Sequence, residues 1–236
     1  MNLVLKRLLV SLTLAATATT LVVSPAAAAP KYPGQVTCPT GDYQLCINGG
    51  PGNFTISGRT FSGHQNAILL TNVSKVTISG NTFTRLSGPK GFAGVHVKNS
   101  SGIVIKKNVF SRLSNKGNMH GVYLVNTSGS SITGNTFSSI TGDPVRIRDG
   151  SNNTTVSGNT FAKSGTYAVF SEWSDPTKGD TVCSRGSVFK NNKYGTSYSG
   201  RSIKLVRWGG KGSGKSLTWS NCTRASITNK GGNTKG

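Results

Sequence analysis

Short runs of alternating apolar and polar residues recur along this chain. Six of them read AILLTN (Ala67–Asn72), GVHVKN (Gly94–Asn99), GVYLVN (Gly121–Asn126), PVRIRD (Pro144–Asp149), AVFSEW (Ala168–Trp173) and SIKLVRW (Ser202–Trp208). Alternation over so few residues predicts half-buried strands rather than helices. Aligned by their first residues, the runs put Ile68, Val95, Val122, Val145, Val169 and Ile203 on one inward column. Leu70, Val97, Leu124, Ile147 and Leu205 make a second inward column, which Ser171 interrupts.

A second phrase accompanies each run. It reads SGRTF (Ser57–Phe61), SGNTF (Ser79–Phe83), KKNVF (Lys106–Phe110), TGNTF (Thr133–Phe137), SGNTF (Ser157–Phe161) and KNNKY (Lys190–Tyr194). Each closes a strand such as Val76–Ile78 or Ile103–Ile105, and a turn then leads to the alternating run. Counted from Arg59 through Asn81, Asn108, Asn135, Asn159 and Asn192, the steps are 22, 27, 27, 24 and 33 residues. A unit of that length cannot bury a core alone, so the units are expected to stack into a solenoid. The asparagines would then form ladders of amides about 4.8 Å apart, and asparagine tolerates the left-handed backbone of a tight corner. Phe61, Phe83, Phe110, Phe137, Phe161 and Tyr194 would be stacked core.

The in-phase N-x-F phrase and V-x-[LVI]-x-N strand resemble the right-handed parallel β-helix repeat family, whose best-known members are pectate-lyase-like enzymes. The resemblance covers about Phe54 to Val206. It implies an all-β fold: a right-handed, single-stranded parallel β-helix solenoid of about six coils. The same solenoid serves lyases, hydrolases, epimerases, adhesins and phage spikes, so function has to be argued from the site. Members of the family often gather several acidic residues around calcium. Here the acids are Asp42, Asp143, Asp149, Glu172, Asp175 and Asp180, and no strand clusters three of them. No metal or cofactor is expected on that ground. Asp143-Pro144 resembles the start of the Asp-Pro-His motif of alginate epimerase relatives, with Val145 in the histidine's place.

The first segment changes the picture of the chain's destination. Lys6 and Arg7 precede an apolar run from Leu8 to Val23, followed by Ser24-Pro25 and Ala26–Ala29. This is the pattern of a cleaved export signal over residues 1–29, too short and wrongly flanked for a membrane span. The expected organisation is therefore a signal peptide (1–29), an N-terminal cap (30–52) and a β-helix with its C-terminal cap (53–236), secreted and without a membrane span. Four cysteines in an exported chain predict two disulfides. Cys38 with Cys46, and Cys183 with Cys222, would staple the two ends of the solenoid, although other pairings satisfy the count.

Charge sets the class of partner. The sequence has 27 Lys+Arg against 6 Asp+Glu, a net charge of +21, or +19 without Lys6 and Arg7. Such a field draws polyanions and weakens with salt. The expected partner is an acidic polysaccharide or other extracellular polyanion. No specific nucleic acid is implied, and a monomer is expected. Gly209–Ser216 spells a phosphate-binding loop, yet Leu217-Thr218-Trp219 after it reads as strand, where that loop requires a helix.

The outward positions of the alternating runs hold the candidate chemistry. One column reads Leu69, His96, Tyr123, Arg146, Phe170 and Lys204; its neighbour reads Thr71, Lys98, Val125, Arg148, Glu172 and Val206. A third, just before the strands, reads Asn66, Ala93, His120, Asp143, Tyr167 and Arg201. β-Elimination from a uronate polymer needs a cation for the sugar carboxylate, a base for the adjacent proton and an acid for the leaving oxygen. Arg146, with Arg148 or Lys98, is the expected neutraliser, His96 the base, and Tyr123 the acid or an alternative base. His120 would serve as base if Asp143 orients its ring. Phe170 and Trp173 would stack a sugar beside Glu172, with Lys204 at the end of the strip. This composition predicts a metal-independent polysaccharide lyase. Two alternatives are a non-catalytic polyanion-binding module and a glycoside hydrolase using Glu172 with an aspartate.

Overall fold

A computed structural model describes residues 32–39, 42–116, 118–174, 183–210 and 226–236. The expected signal segment, Cys222 and most of the glycine-rich loop (Lys211–Ser216) lie outside them. The body, Lys31–Gly236, winds as a parallel β-helix.

Each coil has three sides. Sheet A contains Tyr43–Asn48, Asn66–Thr71, Ala93–Ser101, His120–Ser128, Val145–Arg148, Ala168–Ser174 and Lys204–Gly210, all parallel and in chain order. Sheet B runs from Thr55–Ser57 to Ile227–Asn229, and sheet C from Thr60–Phe61 to Thr234–Lys235, each with one strand per coil. The described residues thus form seven coils, in keeping with the about six expected. The presumed caps wind with the rest: Tyr43–Asn48 is the first rung of sheet A, and Ile227–Asn229 and Thr234–Lys235 complete the last coil. Only Gln35–Val36, antiparallel to Tyr43–Asn48, covers the first edge as a cap would.

The recurrent phrase does not close a strand, as expected from the sequence, but turns a corner between two strands. In Thr77–Ser79, Gly80, Asn81, Thr82–Thr84, the glycine takes φ +63°, a region open to it at no steric cost. Lys107 and Asn191 hold the same left-handed position in the coils that lack the glycine. Asn81 then points inward. Its Nδ2 donates to Asn108 Oδ1 (3.0 Å) and to the Ile56 carbonyl (2.9 Å), while the Asn81 amide also donates to Asn108 Oδ1 (2.9 Å). The pattern repeats through Asn135, Asn159 and Asn192 to Asn233. Beside this ladder Phe61, Phe83, Phe110, Phe137 and Phe161 stack with centroids 4.5–5.0 Å apart. Asn72, Asn99 and Asn126, at the far corner of sheet A, take φ of 54°, 48° and 46°, as a tight corner requires.

Candidate functional site

Register fixes the strip. Sheet A pairs Leu69 with His96, His96 with Tyr123, and Tyr123 with Arg146. In the next column it pairs Thr71 with Lys98, Lys98 with Val125, and Val125 with Arg148. Up to the fifth coil the predicted columns stand as drawn. Beyond it the register differs by one residue: Val145 faces Phe170, Arg146 faces Ser171, and Ile147 faces Glu172. The last strand is displaced by two residues more, with Val206 rather than Lys204 against Phe170, Arg207 against Ser171 and Trp208 against Glu172.

That shift corrects several expected roles, because one residue of slip exchanges the two faces of a strand. Phe170 is fully buried and packs 6.3 Å from Phe189, so it is core rather than a sugar platform. Glu172 lies in the inward column at 3 % exposure, where its Oε1 accepts the Ser184 amide at 2.8 Å. Burial pushes its carboxyl above the usual range, against the Ser226 and Ser184 groups that hold it down. It is therefore no surface carboxylate for a hydrolase. Lys204 is exposed but pairs with Ala168, outside the histidine column, and Arg207 takes its place with its guanidinium 4.2 Å from the Tyr167 ring. The chosen register buries the large ring and leaves the small hydroxyl of Ser171 beside Arg146 (Nε to Oγ, 3.1 Å), which the predicted one would reverse.

His96 and His120 converge on Tyr123, their ring centroids 5.2 and 5.3 Å from the phenol ring. Two residues that the columns did not single out complete the group. Phe92, in the loop entering the third strand, contacts His96, His120 and Tyr123 at 5.4, 5.7 and 4.4 Å. Tyr43, from the first rung, bonds His96 Nδ1 through its hydroxyl at 2.8 Å. His96 Nε2 is buried without a hydrogen-bond partner among the described residues. Burial, then the nearby charges of Lys98 and Arg148, lower the His96 pKa to about 3. Tyr43 was missed because its segment read as a cap; no alternating pattern marks Phe92.

His120 is buried, and its Nδ1 donates to the Asp143 carbonyl at 2.8 Å. Asp143 thus meets the ring through its backbone rather than its carboxylate. Burial, and then Arg146, lower the His120 pKa to about 3, against the opposing pull of Asp143. The Asp143 carboxylate, itself 0 % exposed, accepts the Tyr167 and Ala168 amides (2.8 and 3.0 Å) and Arg146 Nη2 (2.7 Å). Desolvation would raise its pKa, but Arg146, the two amides and His120 together hold it below the usual range. Arg146 is thereby fixed as a buried floor, with Trp173 5.1 Å from its guanidinium. Tyr123 is 3 % exposed; burial raises its pKa although Arg148, 3.4 Å from its hydroxyl, and Arg146 oppose this. Arg148 is also ion-paired with Asp149 (2.5 Å), and Lys98 stands exposed at the same edge.

Cys38 and Cys46 form the expected disulfide, which ties the leading segment to the first rung. Cys183 is disulfide-bonded as well; Cys222, the partner expected for it, is outside the described residues. Among the described residues no three His, Cys, Asp or Glu side chains converge as a metal site would require, and no helix is long and apolar enough to cross a membrane.

Comparison with known proteins agrees with this architecture. A family model described as a right handed beta helix region matches residues 45–207. The crystal structure of an alginate lyase from Paenibacillus sp. str. FPU-7 superposes with a TM-score of 0.57 at 15 % sequence identity. The likeness covers 83 % of this chain and 72 % of that one, and at such identity it bears on the fold. No curated protein matches the chain.

Proposed function

This chain belongs to the right-handed β-helix family, and on that premise we propose that it is a secreted polysaccharide lyase acting on an acidic, uronate-containing polymer without a metal. The observation that carries the reading is the convergence of His96, His120 and Tyr123 beside Arg146 and Arg148 on one side of sheet A. The fold shared with an alginate lyase, an enzyme whose named substrate is a polyuronate, supports it at the level of substrate class.

The chemistry assigns a role to each group. Lys98 and Arg148 offset the sugar carboxylate, which makes the proton on the adjacent carbon easier to remove. His96 Nε2 takes that proton, provided its Nδ1–H donates to the Tyr43 hydroxyl. The bond to the leaving oxygen then breaks as the ring double bond forms. Tyr123 gives its proton to that oxygen; its raised pKa keeps it a neutral donor at neutral pH. His96, with its pKa near 3, is an unprotonated acceptor under the same conditions, and a bound carboxylate strengthens it as a base. Arg146, held by Asp143, and His120, held by the Asp143 carbonyl, fix the floor.

Release of ultraviolet-absorbing unsaturated ends from a panel of uronate polymers tests the reading. His96→Ala and Tyr123→Phe should each lower the rate by about 10²–10⁴-fold, the range for a lost proton-transfer group, while polymer binding persists. One observation favours a second reading, binding without cleavage: His96 Nε2 and Tyr123 are covered in the free protein. Retention on every polymer with no new ends from any of them would decide for it.

A further inference from the structure

The acidic side chains are unevenly distributed. Among the described residues Asp42, Asp143, Asp149 and Glu172 are the acids, and each lies in or next to sheet A or the loop entering it. Sheets B and C and the corner between them carry none. On that corner Lys106, Lys107, Lys190, Lys193, Lys230 and Lys235 stand exposed, and none is ion-paired among the described residues. Register places Lys106, Thr133, Ser157 and Lys190 in one outward column of sheet B. Lys193 pairs with Thr234 beside Lys235, and the Lys230 amide donates to the Phe189 carbonyl next to Lys190. With about 4.8 Å between strands, the ammonium groups of Lys106, Lys107, Lys190, Lys193 and Lys230 line a ridge about four strand spacings long, roughly 19 Å, and Lys235, opposite Tyr194 in the aromatic column, stands exposed at its open end.

Like charges on neighbouring strands repel, and among the described residues no acid offsets these. We propose that the ridge is a second binding site, which takes one strand of a linear acidic polysaccharide along the helix axis. Three features select that occupant. The positions between the lysines are hydroxyl groups, Thr133, Ser157 and Thr160 among them, which suit sugar hydroxyls. No large aromatic side chain stands exposed there for a nucleobase to stack on. Val109 is the one large apolar side chain exposed on it, too little to enter a membrane interface. Of the three corners of a coil this is the one that does not border sheet A. A strand held there is a different one from that lying over His96 and Tyr123, so the protein can hold a polymer network by one strand while acting on another. The proposal rests on the proposed function for its substrate class.

Gel retardation in soluble alginate and polygalacturonate, over a series of salt concentrations, tests it. The variant Lys190→Gln/Lys193→Gln/Lys230→Gln/Lys235→Gln should bind at least about tenfold more weakly at low salt, with a shallower salt dependence. Lys106→Gln/Lys107→Gln, three coils away, should give a smaller loss in the same direction. Release of unsaturated ends from oligouronates too short to reach both faces should stay at the parent level. Equal retardation of variant and parent overturns the proposal. So does tighter retention of the parent by double-stranded DNA or phosphatidylglycerol vesicles than by the polyuronates. If no polymer yields unsaturated ends, the lyase reading fails alone, because retardation still compares parent and variant.

Discussion

His96 and His120 show how burial gives an ordinary residue an unusual titration. Each would take up a proton near pH 6.5 in an unfolded chain, but in the folded protein not until about pH 3. Between these values the unfolded state binds more protons, so stability rises with pH across the window and is flat above it. Each histidine contributes a slope of about 1.4 kcal/mol per pH unit within that range. The melting temperature should therefore fall as the pH is lowered from 6.5 towards 4, and His120→Gln should make the decline shallower. Parallel curves for parent and variant would mean that the imidazole is not held neutral. The sequence located both histidines and Tyr123 through strand alternation, yet nothing in it announced their burial. That burial comes from Phe92 and Tyr43, which arrive from a loop and from the first rung.

The strands and their corners were the most legible part of the chain, because a repeat states the same instruction several times. The asparagine of the SGNTF phrase is the clearest case. Asn135 Oδ1 accepts both the backbone amide and the side-chain Nδ2 of Asn108, and its own Nδ2 donates to Asn159 Oδ1 and to the Ile105 carbonyl. Asn135→Ala would strand several buried polar groups at about 1–3 kcal/mol each, so a loss of several kcal/mol is expected in urea unfolding. Asn126→Gly, which removes the one side-chain bond to Asn99 on an exposed ladder and keeps the left-handed corner accessible, should cost under about 1 kcal/mol. A loss of similar size at both sites would refute the internal amide ladder as a support of the fold. The register was not legible at the last two steps of sheet A, where the sixth strand is displaced by one residue and the seventh by two more. At the first of these the sequence offered Ser171 or Glu172 to the interior, and neither is apolar. Packing decided: the Phe170 ring is worth more inside than a second aligned valine, and Glu172 is carried in with it.

A solenoid's contacts are mainly between neighbouring coils, so its ends can open while its middle stays closed. At the leading end one rung, Tyr43–Asn48, carries both Cys46 and Tyr43, and the disulfide to Cys38 holds it against Gln35–Val36. Closing so short a loop, with a sequence separation of 8, is worth about 2.5 kcal/mol by chain entropy. In Cys38→Ser/Cys46→Ser that stabilisation is lost where it acts, at the first coil. Amide exchange in Tyr43–Asn48 should then accelerate, up to about 60-fold for about 2.5 kcal/mol, while the strands from Ala93 to Ile140 keep their protection. Because Tyr43 holds His96 Nδ1 across two rungs, the variant should also lose the proposed lyase activity before it loses strand content. Uniform loss of protection along the chain would mean that the coils unfold as one cooperative body, and Tyr43 would then have no separate means of reaching the site. Protection lost only at the first rung, together with activity, would make the disulfide part of the site's support as well as a staple on the fold.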